Sequence, residues 1–305
     1  MKYSHVLSYV ASQLWAIDPS KLQELLAVLA FRAAGHTFTA EEIQARVGVG
    51  PGSRGVSSNG SVAIVPVRGV IAHRMGAMDD SSGWTSCERI GAMLQQVMAD
   101  ASVSTVVLDM DSPGGTVTGC QELAADLFAL RGQGKRITAM VNGMAASAAY
   151  WLASQADEIV CIPSGTTGSI GVFCAHEDVS AALEKEGVKI SLISAGKYKV
   201  AGNPTEPLSD EERAIIQARV DEAYGWFVQD VARGRGVTAS AVRKGYGEGR
   251  ALSAKDAKAA GLIDRIATFD ETLGRLVGRK SAGGMRAEES QPALVASMGS
   301  RWRLV

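Results

Sequence analysis

Three features of this 305-residue chain could carry chemistry: a serine among small residues, two adjacent glycines in a turn, and two lysines in a short glycine loop. The serine, Ser147, closes Asn142-Gly143-Met144-Ala145-Ala146-Ser147 and is followed by Ala148 and Ala149. Its position reads as a helix start, where partial positive charge collects. A hydroxyl there can cap the helix or, given a base, act as a nucleophile. The surrounding residues are not Gly-x-Ser-x-Gly, so this is not the elbow of the α/β-hydrolases. The glycines, Gly114 and Gly115, end Asp111-Ser112-Pro113-Gly114-Gly115. Without a Cβ, their N–H groups are open to a substrate carbonyl. An oxyanion donor of that kind contributes about 3 to 4 kcal/mol to a transition state. A plain strand-to-helix turn has the same composition. A third turn, Thr167-Gly168-Ser169-Ile170-Gly171, also follows an apolar strand.

A serine nucleophile needs a proton acceptor. Of the four histidines, His5 and His36 lie in the N-terminal region, His73 follows a strand, and His176 stands beside Glu177-Asp178. A Ser147–His176–Asp triad is one arrangement these residues allow. The other uses a lysine from Ala195-Gly196-Lys197-Tyr198-Lys199. An ordinary lysine, with a pKa near 10.4, is charged at neutral pH, and to accept a proton it must be desolvated by some ~2 to 3 pH units. On its own, a loop with two lysines is a solvated surface. Residue types and spacing leave the base open.

The elements that must position these groups follow from periodicity. Leu22, Leu25, Leu26 and Leu29 behind Pro19 predict a helix, and Thr39 with Glu42 predicts the capping box of a second. Residues 1–47 thus read as a small helical segment, and the Gly/Ser-rich stretch 48–60 as a linker. From 61 onward, apolar strands (62–67, 105–110, 136–141, 158–162, 170–172, 189–194, 263–266) alternate with helices (86–100, 118–132, 146–155, 177–187, 209–233, 237–246, 253–260). Such alternation predicts an α/β domain with a parallel sheet over 61–279. Ligands then gather at the carboxyl ends of the strands, where all three turns lie. Beyond Arg279 the Ser/Gly/Ala/Glu-rich composition predicts a loose tail, 280–305.

Composition narrows the function. Hydrophobic residues at 46% and charged residues at 21% suit a globular protein with a sizeable core. A net charge of −1 offers no basic face for nucleic acid. Cys87, Cys120, Cys161 and Cys174 form no Cys-x-x-Cys pair and read as reduced core thiols without metal. The most apolar run, Ile137–Ala153, is 17 residues long and carries Asn142, too short and too polar for a membrane span. No phosphate-binding Gly-x-x-x-x-Gly-Lys loop is present, so no cofactor is expected. The expected location is the cytoplasm, with no membrane partner.

Several segments together resemble the S49 peptidases, the signal peptide peptidase A family. These are Asp111–Gly115, Gly143–Tyr150, Thr167–Val172, the Ser194–Lys199 loop, the helix with Tyr224, Phe227, Val228 and Arg233, and Gly261-Leu262-Ile263-Asp264. The resemblance covers roughly 61–270. It implies a ClpP/crotonase-like fold of stacked ββα units and a Ser–Lys serine protease. Carried over motif by motif, Ser147 is the nucleophile and Lys199 the base, with Lys197 in reserve. Ser169 orients the base, and the N–H groups of Gly114, Gly115 and Ala148 form the oxyanion hole. In half-length relatives, serine and lysine of one site come from neighbouring subunits of a homo-oligomeric ring, and one copy of each motif here implies the same. The segment around Trp15-Ala16-Ile17-Asp18-Pro19, in place of a membrane anchor, resembles the S49 proteases of tailed phages and prophages, which process scaffold, portal or capsid proteins in the host cytoplasm or inside the prohead. A cytoplasmic S49 peptidase degrading oligopeptides would share the same site. A crotonase-like acyl-CoA enzyme would have no use for the Ser–Lys pair. A catalytically silent ring protein would not need it either.

Overall fold

Three apolar strands, β3 (Val62–Arg68), β6 (Thr105–Ser112) and β8 (Arg136–Ala146), pair in parallel at the centre of the molecule. Their side chains are buried on both faces, as expected of a sheet covered by helices on either side. The computed structural model describes residues 10, 12–33, 55–75 and 84–278. Among these, β1 (Trp15–Ile17) is followed by α1 (Pro19–Ala33), β2 (Ser57–Asn59), β3, β4 (Ile71–Ala72), β5 (Thr85–Ser86) and α2 (Cys87–Ala99). After β6 come β7 (Gly114–Thr116), α3 (Cys120–Ala129), β8, α4 (Ala148–Ala153), β9 (Glu158–Cys161) and β10 (Thr166–Gly168). The chain continues through α5 (Ser180–Lys185), α6 (Asp210–Arg235), α7 (Ala239–Gly245), β11 (Ala251–Ser253), α8 (Ala254–Ala260), β12 (Arg265–Ile266) and α9 (Phe269–Gly278).

The large sheet runs β11-β10-β8-β6-β3-β2, with β9 on β8 and β12 on β9; a second, small sheet runs β1-β7-β4-β5. The two meet where β6 passes into β7, so the glycine turn is the corner between them. The expected α/β architecture with a parallel sheet is present.

Helix α6 packs behind α4, the helix that follows Ser147. It opens on a capping box, Ser209 with Glu212, and ends at Gly236 with φ 66°, a left-handed cap that suits glycine. The Phe227 ring stacks on Trp151 of α4 at 4.5 Å, and the Trp151 indole N–H donates to Asp230 at 2.8 Å. An added Cβ on Gly234 would lie 2.1 Å from the Ser154 carbonyl oxygen, so only glycine permits this approach. Tyr150 fixes the other end of α4 by donating to the Leu262 carbonyl at 2.9 Å.

Several expectations require adjustment. Residues 15–17, read as part of a helical segment, form a strand. The end of the linker, Ser57–Asn59, pairs antiparallel with β3. No strand forms at 189–194, where the chain is exposed and irregular, and the helix expected over 177–187 is confined to Ser180–Lys185. Residues 170–172 contribute no strand; the neighbouring Phe173 makes a single bridge, to Trp15. The Thr39–Glu42 helix, most of the linker and the tail lie outside the described residues.

Candidate active site

Ser147 stands where β8 turns into α4, and its backbone is forced there. Its φ of 56° and ψ of −120° are unfavourable for a residue with a side chain. The neighbours fix this conformation: the Ser147 N–H donates to the Gly168 carbonyl at 2.7 Å, and the Ser147 carbonyl accepts from Trp151 N–H at 2.9 Å. Of three non-glycine residues with positive φ among the described residues, two are Ser147 and Ser169. Strain that persists because its surroundings over-determine it tends to mark working residues. Both serines are buried, and among the described residues the one hydrogen bond of Ser147 Oγ is to the Gly171 carbonyl, at a long 3.5 Å. Ser169 is held by its own N–H, which donates to the Arg250 carbonyl at 2.9 Å. The parallel register Gly168↔Ala146 brings the two serines to the carboxyl ends of adjacent strands.

The glycine turn packs against the same corner. Ser112 pairs with Ala145, and an added Cβ on Gly114 would fall 3.0 Å from the Ala146 carbonyl oxygen. An added Cβ on Gly115 would meet the Ile71 carbonyl oxygen at 1.8 Å, so β4 and β7 can lie together only with glycine here. The Gly114 N–H donates to Ser112 Oγ at 3.2 Å. Ser147, Ser169, Gly114, Gly115 and Ala148 therefore lie together at neighbouring strand ends.

Sequence reasoning assigned no role to Asp111, which organises these strand ends. The pairing of β6 with β8 shifts between Met110 and Ser112, a bulge that takes in Asn142, Gly143 and Met144. Asp111 fills it: its carboxylate accepts the Met144 N–H, and an added Cβ on Gly143 would lie 2.5 Å from Asp111 Oδ1. Although Asp111 is exposed at its outer side, partial desolvation raises the carboxyl above its usual value; the Met144 N–H and Arg68 oppose the rise, and Asp109 adds to it. The signal available beforehand was an acidic residue inside a glycine turn at a strand end.

The comparisons with known proteins bear on the same residues. Peptidase family S49 matches residues 129–282, half of the chain, including Ser147, Ser169 and both lysines. The chain belongs to peptidase family S49. This S49 chain is 35% identical over 280 residues to capsid assembly protease C of Escherichia phage lambda, covering 88% of its own length and 63% of that protein. It is 37% identical over 212 residues to head-tail preconnector protein GP5 of Enterobacteria phage P21, covering 70% and 42%. Protease 4 of Salmonella typhi is 30% identical over 218 residues, 72% of this chain and 34% of that one. The chain thus spans less than two thirds of these relatives. The stacked α/β architecture is the ClpP-like fold of S49.

The two lysines of the glycine loop, Lys197 and Lys199, are exposed to solvent. Lys199 is exposed at the end of a turn in which its N–H donates to the Gly196 carbonyl at 3.0 Å. Among the described residues no hydrogen bond joins its ammonium to Ser147 or Ser169. Lys197 pairs with Glu211 at 2.6 Å, and that hydrogen bond, with one involving Tyr198, raises its pKa, opposite to what a base requires. His176 faces the Asn203 carbonyl at 3.1 Å. The arm from α5 to the start of α6 also exposes Val188, Ile190, Leu192, Tyr198 and, completely, Ile193. Among the described residues no helix is long and apolar enough to cross a membrane.

Proposed function

We propose that this S49 chain is a serine endopeptidase in which Ser147 attacks a peptide carbonyl and Lys199 of a neighbouring copy is the base. The observation that carries the reading is the strained, buried Ser147 at a strand-to-helix corner, flanked by a glycine strand. A serine confined in this way loses little freedom on attack. Neutral Lys199 takes the Oγ proton as Oγ bonds to the carbonyl carbon. The resulting oxyanion is held by the N–H groups of Gly115 and Ala148, with Gly114 giving the clearance. The amine leaves with the proton from the lysine. Water, losing a proton to the same lysine, then bonds to the acyl carbon; the C–Oγ bond breaks and the lysine returns that proton to Ser147 Oγ, restoring both residues. Ser169 hydrogen-bonds the lysine and aims it.

A lysine that serves as a base must be withdrawn from water. The exposed apolar residues of the Lys199 arm supply the means, because packing them against another copy would enclose the lysine. A ring in which each arm completes its neighbour's site meets both needs.

The substrates we propose are head proteins of a tailed phage, scaffold or portal, cut in the host cytoplasm or within the prohead. Two relatives whose names refer to capsid assembly and to the head–tail preconnector support this. The test is incubation of wild type, Ser147→Ala and Lys199→Ala with the scaffold and portal proteins encoded beside the chain. Cleavage by wild type alone, with both variants folded and assembled, supports the reading. Normal cleavage by Lys199→Ala would remove it as the base, and cleavage by Ser147→Ala would remove the nucleophile. Cleavage of small peptides but of no head protein would favour an oligopeptide-degrading role.

A further inference from the structure

Strand β1 lies along the free edge of β7, the glycine strand, in antiparallel register: Trp15↔Thr116, Ala16↔Gly115, Ile17↔Gly114. The bonds flanking this register fix which groups face each other. Val117 N–H donates to the Leu14 carbonyl at 3.0 Å, and Asp18 N–H donates to the Pro113 carbonyl at 2.9 Å. Hydrogen-bonded pairs in an antiparallel ladder recur at every second residue. Ala16 and Gly115 are therefore such a pair, with the Gly115 N–H turned toward the Ala16 carbonyl. The opposite edge of β1 is bonded too: Trp15 and Phe173 exchange both bonds, Trp15 N–H to the Phe173 carbonyl at 2.8 Å and Phe173 N–H to the Trp15 carbonyl at 3.0 Å. Thus residues 14–18 are an extended chain clamped between β7 and the segment that follows Ser169.

This strip borders the nucleophile. An added Cβ on Gly114 would lie 2.2 Å from the Ala16 carbonyl oxygen and 3.0 Å from that of Ala146, the residue before Ser147. The Ala16 side chain enters the main core with Ala145 and Ala148, while Trp15 and Ile17 pack on the other face with Leu22 and Val70. An extended peptide that adds to the edge of a sheet gains its affinity from the same main-chain bonds. Gly115 has one N–H and cannot hold Ala16 and an incoming oxyanion together.

We propose that β1 is a built-in substrate surrogate, which occupies the strip where a peptide must add as a strand and must leave before another protein is cut. The inference rests on the peptidase reading of Ser147. Being part of the chain, β1 competes at the high effective concentration of a tethered ligand. A substrate's apparent affinity is lowered by the fraction of molecules in which the strip is free.

The experiment uses the full-length chain. The double variant Trp15→Ser/Ile17→Ser, which loosens β1 without touching Ser147, Gly114 or Gly115, is compared with wild type on a short fluorogenic peptide. We expect kcat/KM to rise about tenfold, as it would if β1 fills the strip roughly nine-tenths of the time. A free peptide of sequence Leu-Trp-Ala-Ile-Asp should then inhibit the variant competitively. Equal rates in the two folded proteins, or no inhibition, would overturn the proposal. Should the variant fail to fold, wild type is acylated at Ser147 with a serine-reactive peptide, and amide exchange at 15–17 is followed. Lost protection supports displacement, and unchanged protection on acylated protein sinks it while leaving the peptidase intact. If Ser147 resists the reagent, the peptidase reading fails and the surrogate with it.

Discussion

The sheet corner around Ser147 and the arm around Lys199 are built on opposite principles. At the corner, every residue is held from several sides: Ser147 by Gly168 and Trp151, α4 by Phe227, Asp230 and Leu262, and the turn by Asp111. In the arm, residues 188–199 are exposed, and their apolar side chains touch water. The corner is closed by its own packing, whereas the arm shows water five large hydrophobic residues, the kind of surface that suits an interface. The contrast teaches where assembly can act. On the proposed reading, it would complete Lys199 as the base and leave little to change at Ser147.

The sharpest way to break the contrast is in the arm. Ile193→Asp should abolish assembly and cleavage together while the unfolding midpoint of the dilute chain stays put, since an exposed substitution shifts stability by no more than about 0.5 kcal/mol. Sedimentation and a peptide assay report the first effects, and calorimetry the last. A variant that assembles and cuts normally would show the arm to be mere surface.

At the corner the expected order reverses, with chemistry lost through geometry. Asp111→Ala leaves the Met144 N–H unpartnered and the bulge unfilled, so the turn carrying Ser147 should drift. We expect a fall in kcat of about a hundredfold, the scale of an ångström's misplacement. Asp111→Asn keeps an acceptor and should recover most of it. If both variants match wild type, the bulge does not position the nucleophile.

Trp151→Phe removes the donor to Asp230 yet keeps the stack on Phe227. Burial raises the Asp230 carboxyl, and the Trp151 N–H and Arg233 oppose the rise. Losing that donor should cost about 1 to 3 kcal/mol in urea unfolding, with little effect on the arm.

The smallest effect lies in the Arg235–Asp264 pair. Burial alone would raise the Asp264 carboxyl, but the hydrogen bonds from Arg235 and the Ile159 N–H outweigh it and hold the carboxyl below 3.8. A carboxylate depressed on folding stabilises above its unfolded pKa and loses that stabilisation as pH falls through the folded value. The wild-type midpoint should therefore decline below about pH 4 a little more steeply than that of Asp264→Asn.

Much of the corner was legible beforehand because its signals are local. The run Ile137–Ala153 reads as a buried strand entering a buried helix, and β8 followed by α4 is what forms. The helix expected over 209–233 forms as Asp210–Arg235. The misses are non-local. Trp15–Ile17 is three residues long and gains its strand character from partners far along the chain, at 114–116 and at 173. The apolar stretch 189–194 invites a strand, but in the single chain it stays exposed and pairs with none of the described strands. Asp111 was quoted within its motif without a role, because its function depends on a register shift between two strands that no spacing rule encodes. Lys199 was chosen through family resemblance, and its exposure in one chain is why residue type alone left the base undecided.

The backbone of Ser147 has one more consequence. A positive φ at a residue bearing a side chain costs on the order of 1 to 3 kcal/mol, and glycine would not incur it. Ser147→Gly should therefore yield a dead protein that melts later than the wild type, unlike Ser147→Ala, which keeps the strain. At this one position, selection for durability and selection for cleavage pull in opposite directions. A lineage that gave up proteolysis but kept the fold would be expected to drift toward glycine there.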